Sequence, residues 1–148
     1  MERAKQLMEM VAKYESLIYD TADYIWKNPE TGYREWKTSA YMEEHFEALG
    51  YTLTKAGNIP GFYADLDTGR PGPKIAILGE LDSLIVGNHP DADPETHAVH
   101  ACGHNAQCAI LLGVAAAMKE PGELDGPCSP IPFQALPARA PDETGFPG

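Results

Sequence analysis

Two acidic residues, Glu80 and Asp82, directly follow a short apolar run at residues 74–79. A continuous apolar run of this length is typical of a strand buried on both faces. Residues two apart in an extended chain project to the same side, so the two carboxylates are expected to point together. Sites in open α/β sheets form beyond the carboxyl ends of strands, which makes this pair a candidate for metal binding or acid–base chemistry. The alternative is a solvated acidic entry to a loop.

A second segment, residues 100–105, combines imidazole and thiol groups and reads His-Ala-Cys-Gly-His-Asn. Cys102 and His104 are again two apart, and thiolate and imidazole suit zinc and related ions. The segment leads into a predicted helix, whose positive N-terminal end favours the thiolate and the neutral imidazole, the forms that bind metal. Gly103 allows a tight turn between the two side chains. One Cys-x-His pair is weak evidence, and the alternatives are a buried structural cysteine and a capping histidine.

Other candidate ligands and nucleophiles are less promising. His89 and His97 lie in a polar loop, and Cys108 lies on an apolar helix where core packing explains it. The sequence contains no Gly-x-Ser-x-Gly motif and no glycine motif for binding phosphate. A redox role for Cys102 with Cys108 stays an alternative, although their spacing matches no recognised redox motif.

The elements that must position these residues are predicted from apolar periodicity and from turn residues. The predicted helices cover residues 7–25, 38–49 and 104–119, and the predicted strands cover 51–54, 62–66 and 74–79. The first helix is expected to end near Asn28-Pro29, and the second to be capped by Thr38 or Ser39 and stopped by Gly50. The third is apolar on nearly every side and should be buried. Alternating helices and strands predict the α/β class, here a partial mixed sheet with flanking helices.

Residues 127–148 differ from the rest of the chain because six of these 22 residues are proline. Pro130 and Pro132 are expected to prevent a central strand in this segment. The sequence therefore predicts a first unit over residues 1–126 and a Pro-rich tail over 127–148. Two explanations stay open for the tail: a disordered segment, or a reading frame that changes near Gly126.

The charge balance excludes some partners. Eleven Lys and Arg stand against 22 Asp and Glu, a formal net charge of −11, which disfavours nucleic acid and anionic membranes as partners. No apolar run approaches the roughly 20 residues that span a bilayer, and the first residues lack the apolar core of a secretory signal. Three sparse cysteines fit a reducing compartment. These features predict a cytoplasmic protein.

Three segments, in order, resemble motifs of the M20 peptidase family, in the amidohydrolase branch that includes aminobenzoyl-glutamate hydrolases. Residues 28–35, which read Asn-Pro-Glu-Thr-Gly-Tyr-Arg-Glu, and the following Thr38-Ser39 resemble an early family segment. Residues 79–84 look like the acidic segment after the family's third strand. Residues 100–104 are similar to its His-Ala-Cys-Gly-His metal motif. The resemblance covers about residues 10–125.

The resemblance implies a function and a set of roles. Cys102 and His104 would bind divalent ions (zinc, manganese or cobalt, two in the family), with the thiolate bridging them. Asp82 would be the catalytic acid that supports the metal centre, while Glu80 and His100 would lie around the ligands. The implied reaction is hydrolysis of an amide bond in a small N-acyl amino acid or peptide.

The sequence also departs from the family pattern. Asn105 replaces the usual aspartate, and residues 136–140 read Leu-Pro-Ala-Arg-Ala where the family has an acidic pair that supplies a general base and a metal ligand. The family's later metal histidines and its homodimerisation domain would lie beyond residue 148. The expectation is a truncated chain that is inactive alone. The alternative is a non-catalytic fragment that binds metal weakly at most.

Overall fold

The computed structural model describes residues 2–69, 71–72, 74–120 and 131–137. Four helices and six strands lie in these ranges. The helices are α1 (Glu2–Lys13), α2 (Glu15–Lys27), α3 (Trp36–Ala48) and α4 (His104–Met118), and the strands are β1 (Leu53–Lys55), β2 (Phe62–Leu66), β3 (Ile77–Glu80), β4 (Leu84–Ile85), β5 (Ala98–Val99) and β6 (Ile131–Leu136).

The main sheet has four strands in the order β1-β2-β6-β3, and β4 and β5 form a separate two-stranded ribbon. β6 runs antiparallel to β2 and parallel to β3, so the sheet is mixed. The predicted class, a mixed sheet with flanking helices, is confirmed.

The prediction that prolines prevent a central strand near residue 132 is wrong, because β6 lies between β2 and β3. Pro132 is opposite Asp65 of β2, whereas the first residue in register with β3 is Phe133, opposite Ile77. The proline therefore precedes the β3 ladder and sits near the start of its strand, where a missing N–H is tolerated. The other residues of the predicted tail, 127–130 and 138–148, lie outside the described residues, and the division at residue 126 stays a prediction.

The predicted first helix is in fact two helices. The chain leaves helical geometry at Tyr14, with φ −102° and ψ 14°, and α2 then ends at Lys27 as the Asn28-Pro29 signal predicts. The Tyr14 hydroxyl donates to Glu120 Oε1 at 2.6 Å, just beyond the end of α4. This tertiary contact accompanies the break, and local apolar periodicity cannot reveal it.

The helix α3 begins at Trp36, two residues before the predicted start. Thr38 and Ser39 do not cap it, because both are buried inside its first turns. Glu30 caps it instead: its carboxylate accepts hydrogen bonds from the Lys37 N–H at 3.1 Å and the Thr38 N–H at 2.9 Å. Gly50, with φ +82°, takes the left-handed conformation expected after the helix.

The core lies between the helices and one face of the sheet. Phe46 of α3 is fully buried, and its ring centroid lies 5.2 Å from that of Phe62 and 5.9 Å from that of Phe133. Leu111 and Leu112 of α4 are also fully buried, which confirms that this helix belongs to the interior.

The strand β3 is not buried on both faces as predicted. It is the edge strand of the described sheet, and Leu78 is 51% exposed. Its neighbour Gly79 is buried against Leu111 of α4. Because successive strand residues point to opposite faces, α4 covers the Gly79 face and leaves the Leu78 face open.

Among the described residues, the helices are all too short or too polar to cross a bilayer.

Candidate metal-binding and catalytic site

The end of β3 meets the beginning of α4, and this junction brings together three residues that the sequence singled out. Glu80 is the last residue of β3, Asp82 follows two residues later, and His104 is the first residue of α4. Gly103, with φ +93°, makes the tight turn that was predicted before this helix. His104 is buried, at 8% exposure.

The His104 ring contacts both acidic residues. Its Nδ1 lies 2.9 Å from the backbone carbonyl oxygen of Asp82, and 3.0 Å from Oδ1 of the same residue. Nδ1 carries at most one hydrogen, and the carbonyl receives it, so Asp82 Oδ1 is buried without a hydrogen bond among the described residues. A backbone carbonyl that accepts from Nδ1 is a common support for a histidine that binds metal through Nε2.

Nε2 of His104 lies 3.1 Å from Oε2 of Glu80. With the Nδ1 hydrogen given to Asp82, a neutral ring presents a lone pair to a carboxylate, and two acceptors at this distance repel each other. A proton or a metal cation between them removes the repulsion. An imidazole nitrogen and a carboxylate oxygen are both ligands that suit divalent ions, so this pair could take part in holding one.

Cys102, the other predicted ligand, is exposed. It makes no hydrogen bond or ion pair within the described part of the chain. Across the same ranges, no three His, Cys, Asp or Glu side chains are grouped to hold a metal ion. His104 contacts Glu80 on one side of its ring and Asp82 on the other, and Cys102 has no contact with these residues among the described ranges.

His100 lies in the interior, at 2% exposure, and neither ring nitrogen has a hydrogen-bond partner among the described residues. Burial, with a smaller contribution from His104, lowers the pKa of His100 to about 4. The ring is therefore neutral at physiological pH.

Cys108 confirms the expectation of core packing, because it is fully buried. Its thiol donates to the Glu80 carbonyl at 3.1 Å. Burial raises the pKa of Cys108 to about 12, and the nearby carboxylates of Asp82 and Glu80 contribute in the same direction. A thiol held in this form is a poor redox partner for Cys102, which argues against the thiol redox alternative.

The segment from Glu80 to Ser83 is held by two elements and by the loop between α2 and α3. From α4, the Gln107 side-chain oxygen accepts from the Glu80 N–H at 3.3 Å. From β6, the Leu136 carbonyl accepts from the Leu81 N–H at 2.9 Å. On the third side, the N–H and the hydroxyl of Ser83 both donate to the Glu30 carbonyl, each at 2.8 Å.

The sequence did not point to Glu30, Gln107 or Ser83 as parts of the site. Glu30 lies six residues before the first residue of α3, so no local capping pattern identifies it. Its only signal is its place in the early Pro-Glu segment of the family resemblance. Asn105, where the resemblance expects aspartate, donates from Nδ2 to the Ala22 carbonyl of α2 at 3.3 Å.

Comparison with known proteins finds hydrolases and peptidases among the relatives of this chain. One subunit of the p-aminobenzoyl-glutamate hydrolase of Escherichia coli is 32% identical over 126 residues, which cover 80% of this chain and 26% of that protein. A proposed aminohydrolase from methicillin-resistant Staphylococcus aureus superposes with a TM-score of 0.78 at 25% identity, over 93% of this chain and 36% of that one. A dinuclear metal-binding M20 peptidase from Bacillus subtilis has the same fold, with a TM-score of 0.73 at 21% identity, over 86% of this chain and 36% of that one.

The chain is thus similar to amidohydrolases and peptidases, among them a peptidase of the M20 family. The resemblance inferred from the three motifs is therefore confirmed. No protein-family model matches the chain. The chain spans about a quarter of the length of the curated relatives that it matches first.

Proposed function

We propose that this chain supplies part of a divalent-metal centre that hydrolyses amide bonds in small N-acyl amino acids or peptides. The observation that carries the proposal is the 3.1 Å approach of His104 Nε2 to Glu80 Oε2, on a ring whose Nδ1 faces the Asp82 carbonyl. The names of the relatives support the reaction class, since they include a hydrolase of p-aminobenzoyl-glutamate.

Each residue has a distinct part in this proposal. His104 binds metal through Nε2, and the exposed Cys102 thiolate is the second ligand, with Glu80 beside them. Asp82 orients the His104 ring through its carbonyl, and His100 packs behind the ligands. Bound divalent ions (zinc, manganese or cobalt) would lower the pKa of a water and polarise the amide carbonyl. We place this activity in the cytoplasm, where an exposed thiol stays reduced.

One observation favours a second candidate, a non-catalytic chain that binds metal weakly at most. No group of three metal-binding side chains converges within the described ranges, whereas a tight site needs three or four ligands. The two candidates share the metal-binding residues and differ in whether amide hydrolysis follows.

Zinc binding tests the part that both candidates share. We expect calorimetry on the 148-residue chain to show weak, exchangeable binding that falls about tenfold or more in Cys102→Ser and in His104→Asn, because each change removes one ligand. The control is His97→Asn, an exposed loop histidine. Equal zinc affinity in Cys102→Ser and wild type would remove the thiol from the proposed ligand set, and no zinc binding by wild type would reject the metal centre.

A further inference from the structure

Glu30 joins the helix α3 to the loop that follows β3. Its carboxylate accepts from the N–H groups of Lys37 and Thr38, and from the Thr38 hydroxyl at 3.0 Å. Its backbone carbonyl accepts from the N–H and the hydroxyl of Ser83. The side chain and the main chain of one residue are thus fastened to two different parts of the fold.

Ser83 connects this anchor to the candidate site. It is 5% exposed and is covalently joined to Asp82, whose carbonyl oxygen lies 2.9 Å from His104 Nδ1. A displacement of Ser83 would therefore move the carbonyl that sets the direction of the His104 ring. The opposite side of the loop is fixed independently, because Gln107 and Cys108 hold the backbone of Glu80.

We propose that Glu30 is a positioning residue for the candidate site. Anchored at the positive N-terminal end of α3, its carboxylate fixes the rotation of the Glu30 backbone. The fixed carbonyl holds Ser83, and through it the Asp82 carbonyl that aims His104 Nε2 at Glu80. The link to metal binding rests on the function proposed above, whereas the coupling from Glu30 to His104 needs no metal.

A role limited to capping α3 makes a different prediction. In that case the loss of the Glu30 carboxylate would lower the stability of the helix and leave the His104 ring as it is. A positioning role requires a change at His104 as well, because partners that orient a metal-binding histidine control its tautomer and direction.

Three variants and one control separate these two roles. Glu30→Ala removes the carboxylate anchor, and Glu30→Gln keeps a single acceptor oxygen. Ser83→Ala removes one of the two hydrogen bonds to the Glu30 carbonyl and leaves the cap of α3 intact. Glu44→Ala is the matched control, since Glu44 is an exposed glutamate on α3 that lies outside this network.

The first measurement is NMR on metal-free protein, which follows hydrogen exchange at the backbone amide of residue 83 and the ring nitrogen signals of His104. In Glu30→Ala we expect this amide to exchange about tenfold faster, the change that the loss of about one hydrogen bond produces, and His104 to lose its single tautomer. Ser83→Ala should shift the His104 signals with α3 still protected. Unchanged His104 signals in a folded Glu30→Ala would overturn the proposal, and if that variant does not fold, the His104 signals of Ser83→Ala and Glu30→Gln decide between the two roles.

The second measurement is a cobalt titration followed by the absorption bands of the bound ion. Because residues that orient metal ligands contribute about 10–100-fold to affinity, we expect losses in that range in Glu30→Ala and Ser83→Ala but not in Glu44→Ala. If wild type binds no cobalt, the proposed function fails, and the NMR result alone still decides whether Glu30 positions His104. Cobalt affinity equal to wild type in all variants would overturn the positioning role.

Discussion

At the scale of single residues, His104 shows how two nitrogens of one ring take different tasks. Nδ1 faces the Asp82 carbonyl and Nε2 faces Glu80. The spacing of Cys102 and His104 predicted metal-binding chemistry for both. Cys102 is exposed and His104 is buried, because the turn at Gly103 places the two side chains in different surroundings.

The two described cysteines should differ sharply in reactivity. With Cys128 changed to Ser, we expect maleimide near neutral pH to modify Cys102 and to modify Cys108 at least about 100-fold more slowly, because Cys108 is fully buried and its thiolate is disfavoured. Mass spectrometry of the labelled peptides measures both rates. In denaturant the two should react alike, and equal rates in the folded chain would contradict the burial of Cys108.

His100 should make stability depend on pH. Its pKa is lowered from 6.5 to about 4 in the folded chain, so between these values the unfolded chain binds a proton that the folded chain does not. Stability is therefore full above pH 6.5 and falls towards pH 4, by up to about 3 kcal/mol from this residue. Urea unfolding with a chelator present, at several pH values across this window, measures the slope.

The slope must be compared between variants, because other groups also titrate in this window. His100→Asn should flatten the slope relative to wild type. A wild-type slope in His100→Asn would show that the buried ring does not titrate as inferred.

At the scale of elements, the sequence predicted best those helices and strands whose signals lie in neighbouring residues. β2 and α4 match the prediction closely, because alternation and an unbroken apolar stretch are properties of neighbouring residues. The prediction that prolines prevent a strand at β6 failed, because the effect of a proline depends on where it lies relative to the ladder with β3. Only the assembled sheet determines that position. The site was incomplete for the same reason: Glu30 meets Ser83 across 53 positions of the chain.

The place of β6 in the sheet can be tested at Gly61. A Cβ atom there would lie 2.7 Å from the Ala135 carbonyl oxygen and 3.0 Å from Pro137 Cδ, whereas one at Gly57 would have no neighbour within 4 Å. Both glycines have positive φ, so alanine costs about 1–2 kcal/mol at either position. At Gly61 the collision should add about 1–3 kcal/mol. Urea unfolding of Gly61→Ala and Gly57→Ala measures the difference, and equal losses would contradict the contact with β6.

At the scale of the whole molecule, the described residues contain a hydrophobic core and part of a candidate site. Phe46, Phe133 and Leu111 join α3, β6 and α4 into a single interior. That interior explains why the Glu80 loop has fixed neighbours on three sides.

We expect the purified 148-residue chain to hydrolyse neither hippurate nor p-aminobenzoyl-glutamate above background with zinc, manganese or cobalt. Residues 136–140 read Leu-Pro-Ala-Arg-Ala where the resemblance expects an acidic pair that supplies a general base and a metal ligand. The loss of a general base alone lowers a rate by about 10²–10⁴-fold. Chromatography of the released products is the measurement. Turnover that a chelator and His104→Asn both abolish would contradict this expectation.

The strand order has a consequence for how the chain folds as it is made. β2 and β3 do not pair with each other, since each pairs with β6, and residues in register such as Ile77 and Phe133 are more than fifty positions apart. β6 is the last of the six described strands to leave the ribosome. Until β6 emerges, the nascent chain can form its helices and the β1–β2 hairpin, but β3 lacks the strand with which it pairs. This interval exposes the growing chain to chaperones and to misassembly, and a pause in translation before residue 131 would lengthen it.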